Sequence, residues 1–446
     1  MKKTLMAMLV GFSVTTQALA DDLYQVYQQA LENDPVVNRA KAQRDAAYEG
    51  IAISRASLLP NLSGDVTYSD SYREEVDSES ELIALTRRDT ESFGWSVELN
   101  QSIYDHANWL GLDRAEKVAH QSDANYASSL QALIVRTTQA YLAILRAKDA
   151  LEFVKAEKRA IERQLEQTKQ RFEVGLTAIT DVHEAQANFD NTVAQEIRAE
   201  NVLELRLEEL REITGKYHSD LAELNTDTFS ATKPVPADVK AWLDLAEDKN
   251  LELLVQQYAR DIAKEDISIA SAGHLPTLGL RGSYGRADTE VELKGFTTDI
   301  PTADNASITL QLNVPIYSGH ATSARTSQAR YNYVAASENL EATHRQTVRS
   351  VRSSYNDVIA SISTIRALQQ AVVSAESALK ATEAGFDVGT RTIVDVLNST
   401  RNLFDARRNL AGARYDFIQS VVNLKRAAGT LQEQDVVDIN RGLINQ

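Results

Sequence analysis

Residues 171–182 read RFEVGLTAITDV and residues 385–396 read GFDVGTRTIVDV, one phrase written twice in the chain. Phe172 matches Phe386, Gly175 matches Gly389, Ile179 matches Ile393 and Asp181 matches Asp395, all at a single offset. Each phrase closes one long proline-free segment and opens another, so it reads as a turn between two helices. A glycine just past a helix end takes the left-handed backbone without a Cβ penalty, which accounts for Gly175 and Gly389. The copies part company at Arg391, which stands where the first copy has Thr177.

The phrase belongs to a longer duplication. SLLPNL at 57–62 answers GHLPTL at 273–278, QSIY at 101–104 answers VPIY at 314–317, and Tyr141 answers Tyr355. Such a long repeat is a structural unit in itself rather than one turn of a solenoid. Each half opens with a helical segment, about 22–57 and 251–273, ended by a Leu-Pro step because proline disfavours helix in the residue before it. Two strands follow, about 61–72 and 92–104 in the first half and 277–286 and 304–317 in the second. In Ala306–Val314 the even positions are all apolar and the odd ones all polar, a period-two strand signal. Polar stretches at 74–90 and 287–303 read as long loops. Residues 106–172 and 319–385 then read as helices of about 100 Å if unbroken. Each returns after its turn as a second helix, about 178–213 and 392–428. The chain thus divides into a first repeat (21–214), a connector (215–250) with a short helix around Trp242, a second repeat (251–428) and a tail (429–446) expected to pack near the connector. Helix pairs of this length are expected to form an extended, coiled-coil-like structure.

The start, MKKTLMAMLVGFSVTTQALA, has two lysines, an apolar stretch and a small-residue end. It reads as a signal peptide cleaved before Asp21. Its loss removes Lys2 and Lys3 and no acid, moving the formal charge from −16 to −18. So acidic a chain is a poor nucleic-acid binder, which would need Lys and Arg against phosphates. There are no cysteines, so disulfides and thiolate metal sites are excluded. No later run of about 18 apolar residues follows the export signal. The exported product is therefore either soluble or a membrane β-barrel, whose strands hide from hydropathy.

The four strands have two fates open to them. They could form a small soluble sheet packed on helices, or they could span an outer membrane, for which about 9–11 residues suffice. Four strands cannot close a barrel, since membrane barrels need at least about eight. Open edges are not tolerated in lipid. A membrane fate therefore requires several subunits, without fixing their number.

The doubled pattern, with LLPNL and HLPTL before strands and the two VG phrases at helix hairpins, resembles the TolC-type outer-membrane channels over essentially the whole mature chain. The resemblance implies an all-α duct joined to a membrane β-barrel: a homotrimer with twelve strands in one barrel and twelve helices in a periplasmic tunnel. It also implies a passive exit duct for tripartite drug efflux and type I protein secretion. Its partners would be a periplasmic adaptor and an inner-membrane efflux pump or ABC exporter, with no cofactor. By the same resemblance Gly175, Leu176, Thr177, Gly389 and Thr390 are adaptor-contacting tips. Asp395 lines the narrowest part of the pore, and the family's second Asp three residues later is here Asn398. Arg391 would join Thr180 and Asp181 in a gate link. The Tyr that the family often sets opposite that Asp is here Phe386, so this link would be lost. Independently of any family, Asp395 lies three residues after Thr392, a capping-box spacing that also offers a helix-start reading of Asp181.

The seven histidines (106, 120, 183, 218, 274, 320 and 344) show no HExxH or other paired metal spacing, and no nucleophile elbow or phosphate loop occurs. No enzyme is expected. Two rivals remain: a channel dedicated to protein secretion, and a periplasmic coiled-coil adaptor or scaffold, which would have no use for alternating, lipid-facing strands.

Overall fold

The computed structural model of the chain describes residues 21–74, 87–218, 220–293 and 296–444. The expected leader over 1–20 lies outside the described residues. In chain order the elements are helices α1 (Leu23–Asn33) and α2 (Pro35–Ala56), strands β1 (Asn61–Glu74) and β2 (Arg87–Tyr104), helices α3 (His106–Glu173) and α4 (Ile179–Thr214) and strand β3 (Glu223–Leu224). There follow helices α5 (Val239–Lys249) and α6 (Leu251–Ala272), strands β4 (Thr277–Leu293) and β5 (Phe296–Asn313), helices α7 (Ala321–Asp387), α8 (Ile393–Ala427) and α9 (Glu433–Asn440), and strand β6 (Leu443–Ile444).

The single opening helix expected over 22–57 is two helices, and the reason is local. Pro35 supplies no amide hydrogen and sits at the first position of α2, where none is needed. Asp34 joins the pieces: its own N–H donates to the Ala30 carbonyl at 2.8 Å and its carboxylate accepts from the Val37 N–H at 2.9 Å. The same break recurs at Asn250, between helices of 11 and 22 residues that match α1 and α2 in length. Helix α5, expected as part of a connector, is therefore the repeat partner of α1.

The chain forms two compact units. One comprises residues 41–125 and 252–343 and holds the sheet, an antiparallel β1-β2-β4-β5 array with β1 and β5 at its edges. Cross-strand rows divide its chemistry by face. Leu62, Leu99, Gly282 and Ile308 form one row, and Gly64, Val97, Tyr284 and Ala306 form the next on the same side. Ile308 is 84% exposed and Val66 73%, so this apolar face is uncovered. The opposite face carries Asn61, Asn100, Arg281 and Thr309, then Ser63, Glu98, Ser283 and Ser307. There Arg281 pairs with Glu98 at 2.6 Å.

The strands run further than their alternation announces. On the apolar side the row Val66, Trp95, Arg286 and Asp304 interrupts the hydrophobic band with an ion pair at 2.6 Å, and Tyr68 and Phe93 continue the band on β1 and β2. Trp95 and Tyr284 meet edge-on there at 5.6 Å. Beyond that row, residues 289–293 and 296–300 still pair, although 287–303 was expected as a loop. Period two reports a strand with one covered face. Past this row Asp288 stands on the apolar side and Val291 on the other, so the alternation breaks while the ladder persists. The 74–90 loop narrows likewise, because β1 reaches Glu74 and β2 begins at Arg87; residues 75–86 lie outside the described residues. Strand β5 stops at Asn313 rather than 317, since Pro315 has no N–H for the ladder.

The second unit comprises residues up to 40, 126–251 and 344–446. Its main core joins Leu23, Val26 and Tyr27 of α1 to Leu133, Tyr141 and Leu145 of α3 and to Leu431, Val436 and Leu443 of the tail. Tyr141 is fully buried, and its hydroxyl donates to the Ala222 carbonyl at 2.7 Å. Burial pushes the Tyr27 phenol up to about 12. Strand β6 of the tail pairs with β3 of the connector. A second core gathers Trp242, Val351, Val358, Phe417 and Leu424, and the Trp242 indole N–H donates to the Pro236 carbonyl at 2.7 Å. The long segments are unbroken helices: α3 has 68 residues and α7 has 67. One 18-residue window of α7 reaches a mean hydropathy of 1.2, enough for a membrane span by length and composition. No such run was expected. The helix continues for more than three times the roughly 20 residues a span requires.

Asp34 is almost fully buried and receives both Arg136 guanidinium nitrogens, at 3.1 and 2.7 Å. Arg136→Met leaves that carboxylate buried without its cation. It should cost about 3 kcal/mol, the low end for a broken buried pair because the arginine is itself a third exposed. Adding Asp34→Asn, which keeps the helix cap and removes the charge, should restore most of the loss in thermal unfolding followed by circular dichroism.

Candidate functional site

The two hairpin turns are closed by the same backbone device. Gly175 and Gly389 have φ of 76° and 79°. The N–H of Gly175 donates to the Phe172 carbonyl at 2.9 Å and that of Leu176 to the Arg171 carbonyl at 2.8 Å. In the second copy Gly389 donates to Phe386 at 3.1 Å and Thr390 to Gly385 at 2.8 Å. This pair of bonds satisfies the last carbonyls of a helix and turns the chain. A Cβ on either glycine would meet nothing within 4 Å, so the backbone angle, not crowding, calls for glycine.

The following helices restart in different ways. Thr392 caps α8 in a reciprocal box: its Oγ1 accepts from the Asp395 N–H at 3.3 Å, and Asp395 Oδ2 accepts from the Thr392 N–H at 3.0 Å. Oδ2 also accepts from the Thr392 hydroxyl at 3.0 Å. The Thr392 amide, then its hydroxyl, hold the Asp395 carboxyl below the usual carboxylate range. The other oxygen, Oδ1, is left for solvent or a cation. Asp181 does not repeat this box, because its helix is capped by Ala178, which has no side-chain oxygen. Instead the Thr177 hydroxyl donates to Asp181 Oδ2. Thr180 is exposed, and so is Asn398, one turn beyond Asp395 on the same side of α8.

Arg391 is exposed and forms no ion pair within the chain among the described residues; its link to Thr180 and Asp181 is not made inside one protomer. Its seat is nevertheless built. A Cβ on Gly385 would lie 2.7 Å from Arg391 Cγ, so the bare glycine lets the arginine fold back across the turn. The Gly385 carbonyl accepts from the Arg391 N–H at 3.2 Å and the Thr390 hydroxyl at 3.0 Å. In the first copy the place of Gly385 is held by Arg171.

Phe386 is not simply a tyrosine that has lost its hydroxyl. It is 8% exposed, whereas its repeat partner Phe172 is 41% exposed. It packs with Ile161 and Leu165 of α3, Ala185 of α4 and Ile393, Val396 and Leu397 of α8, a cluster that joins the two hairpins. Arg171 lies over its ring at 4.6 Å from the centroid and reaches Asp387 at 3.7 Å. A cation over an aromatic face is worth about 0.5–1 kcal/mol at such a site, and the half-wet ion pair about 0.2–1 kcal/mol. Sequence reasoning missed both Arg171 and Asp387. Further up, Arg401 donates to Asn188 at 2.7 Å. Arg408 reaches the buried Glu157 at 3.4 Å, and burial raises that carboxyl above its ordinary value. Leu176, Val174 and Val388 are each about 70% or more exposed at the turns. Among the described residues no group of three or more His, Asp or Glu side chains could hold a metal.

With this geometry in hand, the relatives of the chain are informative. The profile of the family described as outer membrane efflux protein matches residues 26–216 and 242–430, once in each half. The outer membrane protein TolC of Vibrio cholerae serotype O1 is 47% identical over 97% of this chain and 96% of its own length. The alkaline protease secretion protein AprF of Pseudomonas aeruginosa is 32% identical over 94% of this chain and 86% of its own. In fold, the chain is similar to the crystal structure of the outer membrane protein VceC from Vibrio cholerae. That match has a TM-score of 0.74 at 18% identity and covers 91% of this chain and 96% of the other. The chain belongs to the outer membrane efflux protein family, and its place is the outer membrane.

Proposed function

We propose that three copies of this chain close one twelve-stranded barrel and one helical duct, through which substrates leave the cell by gated passive diffusion. The observation that carries this reading is the four-stranded sheet with one uncovered apolar face and two open edges. In lipid such edges must be paired, and only further copies supply the strands. A periplasmic adaptor would dock on the exposed turns around Gly175, Leu176, Thr177, Gly389 and Thr390, and an inner-membrane efflux pump or ABC exporter would supply the energy. The relatives, one named for the outer membrane and one for protease secretion, support service to both drug efflux and type I secretion. No step needs catalysis.

The gate would lie at the second hairpin. Asp395 would form a three-fold ring of carboxylates at the constriction, backed by amides from Asn398. Arg391, seated on Gly385, would reach Thr180 and Asp181 of a neighbouring subunit, because within one chain it has no such partner.

Three experiments test this reading. Ile308→Lys, on the apolar face, should cost about 2–4 kcal/mol near the bilayer midplane and deplete heat-modifiable trimers in outer-membrane fractions. Ser307→Lys, on the polar face, should leave them intact. In planar bilayers Asn398→Asp should strengthen cation selectivity and block by large cations, while unchanged values would remove the amide ring from the constriction. Arg391→Ser should raise conductance above wild type, and Gly385→Ala, which crowds the arginine off its seat, should do the same.

A further inference from the structure

We infer that Arg171 is a gating residue in its own right: a latch that holds the second hairpin of each chain to the first through the Phe386 ring and the Asp387 carboxylate. The inference rests on the reading that the hairpin turns form the gate.

Arg171 is on the last turn of α3, and Phe386 and Asp387 are on the last turn of α7. The arginine therefore bridges two hairpins that are remote in sequence. It makes two contacts with one side chain, the ring at 4.6 Å and the carboxylate at 3.7 Å. Three-quarters of the arginine side chain is covered, while Asp387 is 65% exposed. The pair lies at the border of the apolar cluster formed by Ile161, Leu165, Ile393 and Val396. Any swing of the second hairpin away from the first uncovers the Phe386 ring and separates the charges. The first-copy phenylalanine, Phe172, is left exposed, so the capped ring belongs to the second hairpin alone.

The duplication explains how this arose without disturbing the turns. Each copy of the phrase holds one arginine, at different places: Arg171 before the turn in the first, Arg391 after it in the second. Where the first copy has Arg171 the second has Gly385, and that missing side chain makes room for Arg391. The two arginines thus divide the work. Arg171 is spent inside the chain, and Arg391 has no ion pair among the described residues and is left for a neighbour. Loss of the aromatic hydroxyl at Phe386 also leaves no acceptor unmet, because Asp181 accepts from the Thr177 hydroxyl.

The test is single-channel conductance of the full-length protein in planar bilayers, with heat-modifiable trimer as the check on folding. Arg171→Gln should form normal trimers and raise conductance several-fold. Asp387→Asn should give a smaller rise that fades at high salt, where the wild-type ion pair is already screened. Phe386→Leu should keep the apolar cluster and yet conduct like Arg171→Gln. Combining Arg171→Gln with Asp387→Asn should open the channel no further than Arg171→Gln alone. Wild-type conductance in Arg171→Gln, with Arg391→Ser still raising it, would overturn the latch and leave the gate reading standing. Unchanged conductance in both would overturn the two together. If Arg171→Gln fails to trimerise, Arg171→Lys decides: trimers with near wild-type conductance support the latch, and a several-fold rise despite the retained cation overturns it.

Discussion

Strand β1 over 14 residues and β5 over 18 form the edges of the sheet, and among the described residues each leaves one row of backbone groups without a strand beside it. In water such a row is a liability that solvent satisfies; in hydrocarbon it cannot exist unpaired. The exposed leucine, isoleucine and aromatic side chains on one face place this sheet in hydrocarbon, so closure by other copies becomes an obligation. The helices inherit that obligation. Each pair of strands leads directly into a long helix, β2 into α3 and β5 into α7, so closing the strands in the proposed trimer would also gather the helices joined to them. In that proposed trimer the hairpin turns would recur by symmetry, and one arginine per chain would become a set.

Duplication writes one hairpin plan twice in the chain, and divergence supplies the differences on which the proposed gate rests. The parts that set backbone geometry are kept in both copies: a left-handed glycine, the two closing hydrogen bonds and an acid in the first turn of the next helix. The exchanged parts are side chains that the turn does not need. Arg171 becomes Gly385, Thr177 becomes Arg391 and the uncapped Ala178 becomes the capping Thr392. A turn held by main-chain bonds tolerates such exchange because most of its side chains face solvent. Differences between copies of one phrase are thus a better guide to function here than the letters they share.

What could be read from the chain depended on the range of the cause. The helix boundaries at the turns and the Thr392–Asp395 box arise within a few residues, so spacing revealed them. The lipid-covered parts of the strands declared themselves by alternation, since one face must be apolar. Past the Trp95, Arg286 and Asp304 row Tyr68 and Phe93 still share the apolar side, but Asp288 joins them and Val291 falls on the other side, so the alternation breaks although the ladder continues. The break at Asp34 is local, set by Pro35 and the Asp34 cap, but the Arg136 that neutralises the buried carboxylate lies far along the chain, beyond the reach of spacing. Arg171 was missed for the same reason: nothing near it in sequence says that Phe386 and Asp387 lie beneath it. Residues that join the two hairpins are the ones that sequence spacing hides.

The strength of these joints bears on how such a gate must move. Burying one large aliphatic side chain is worth about 1.5–3 kcal/mol, and Ile161, Ile393, Val396 and Leu397 are all essentially buried between the hairpins. Opening that stripped this cluster in three chains would demand far more than the roughly 5.5 kcal/mol of differential affinity that swings a two-state equilibrium from one per cent to ninety-nine. The two contacts of Arg171, about 0.5–1 kcal/mol for the ring and about 0.2–1 kcal/mol for the ion pair, amount over three chains to about 2–6 kcal/mol. That is the scale a docking partner can supply. In the proposed gate the second hairpin would therefore pivot on its apolar cluster and release only the polar edge, with Arg171 holding the end of α7 and Arg391 standing after the turn that follows it.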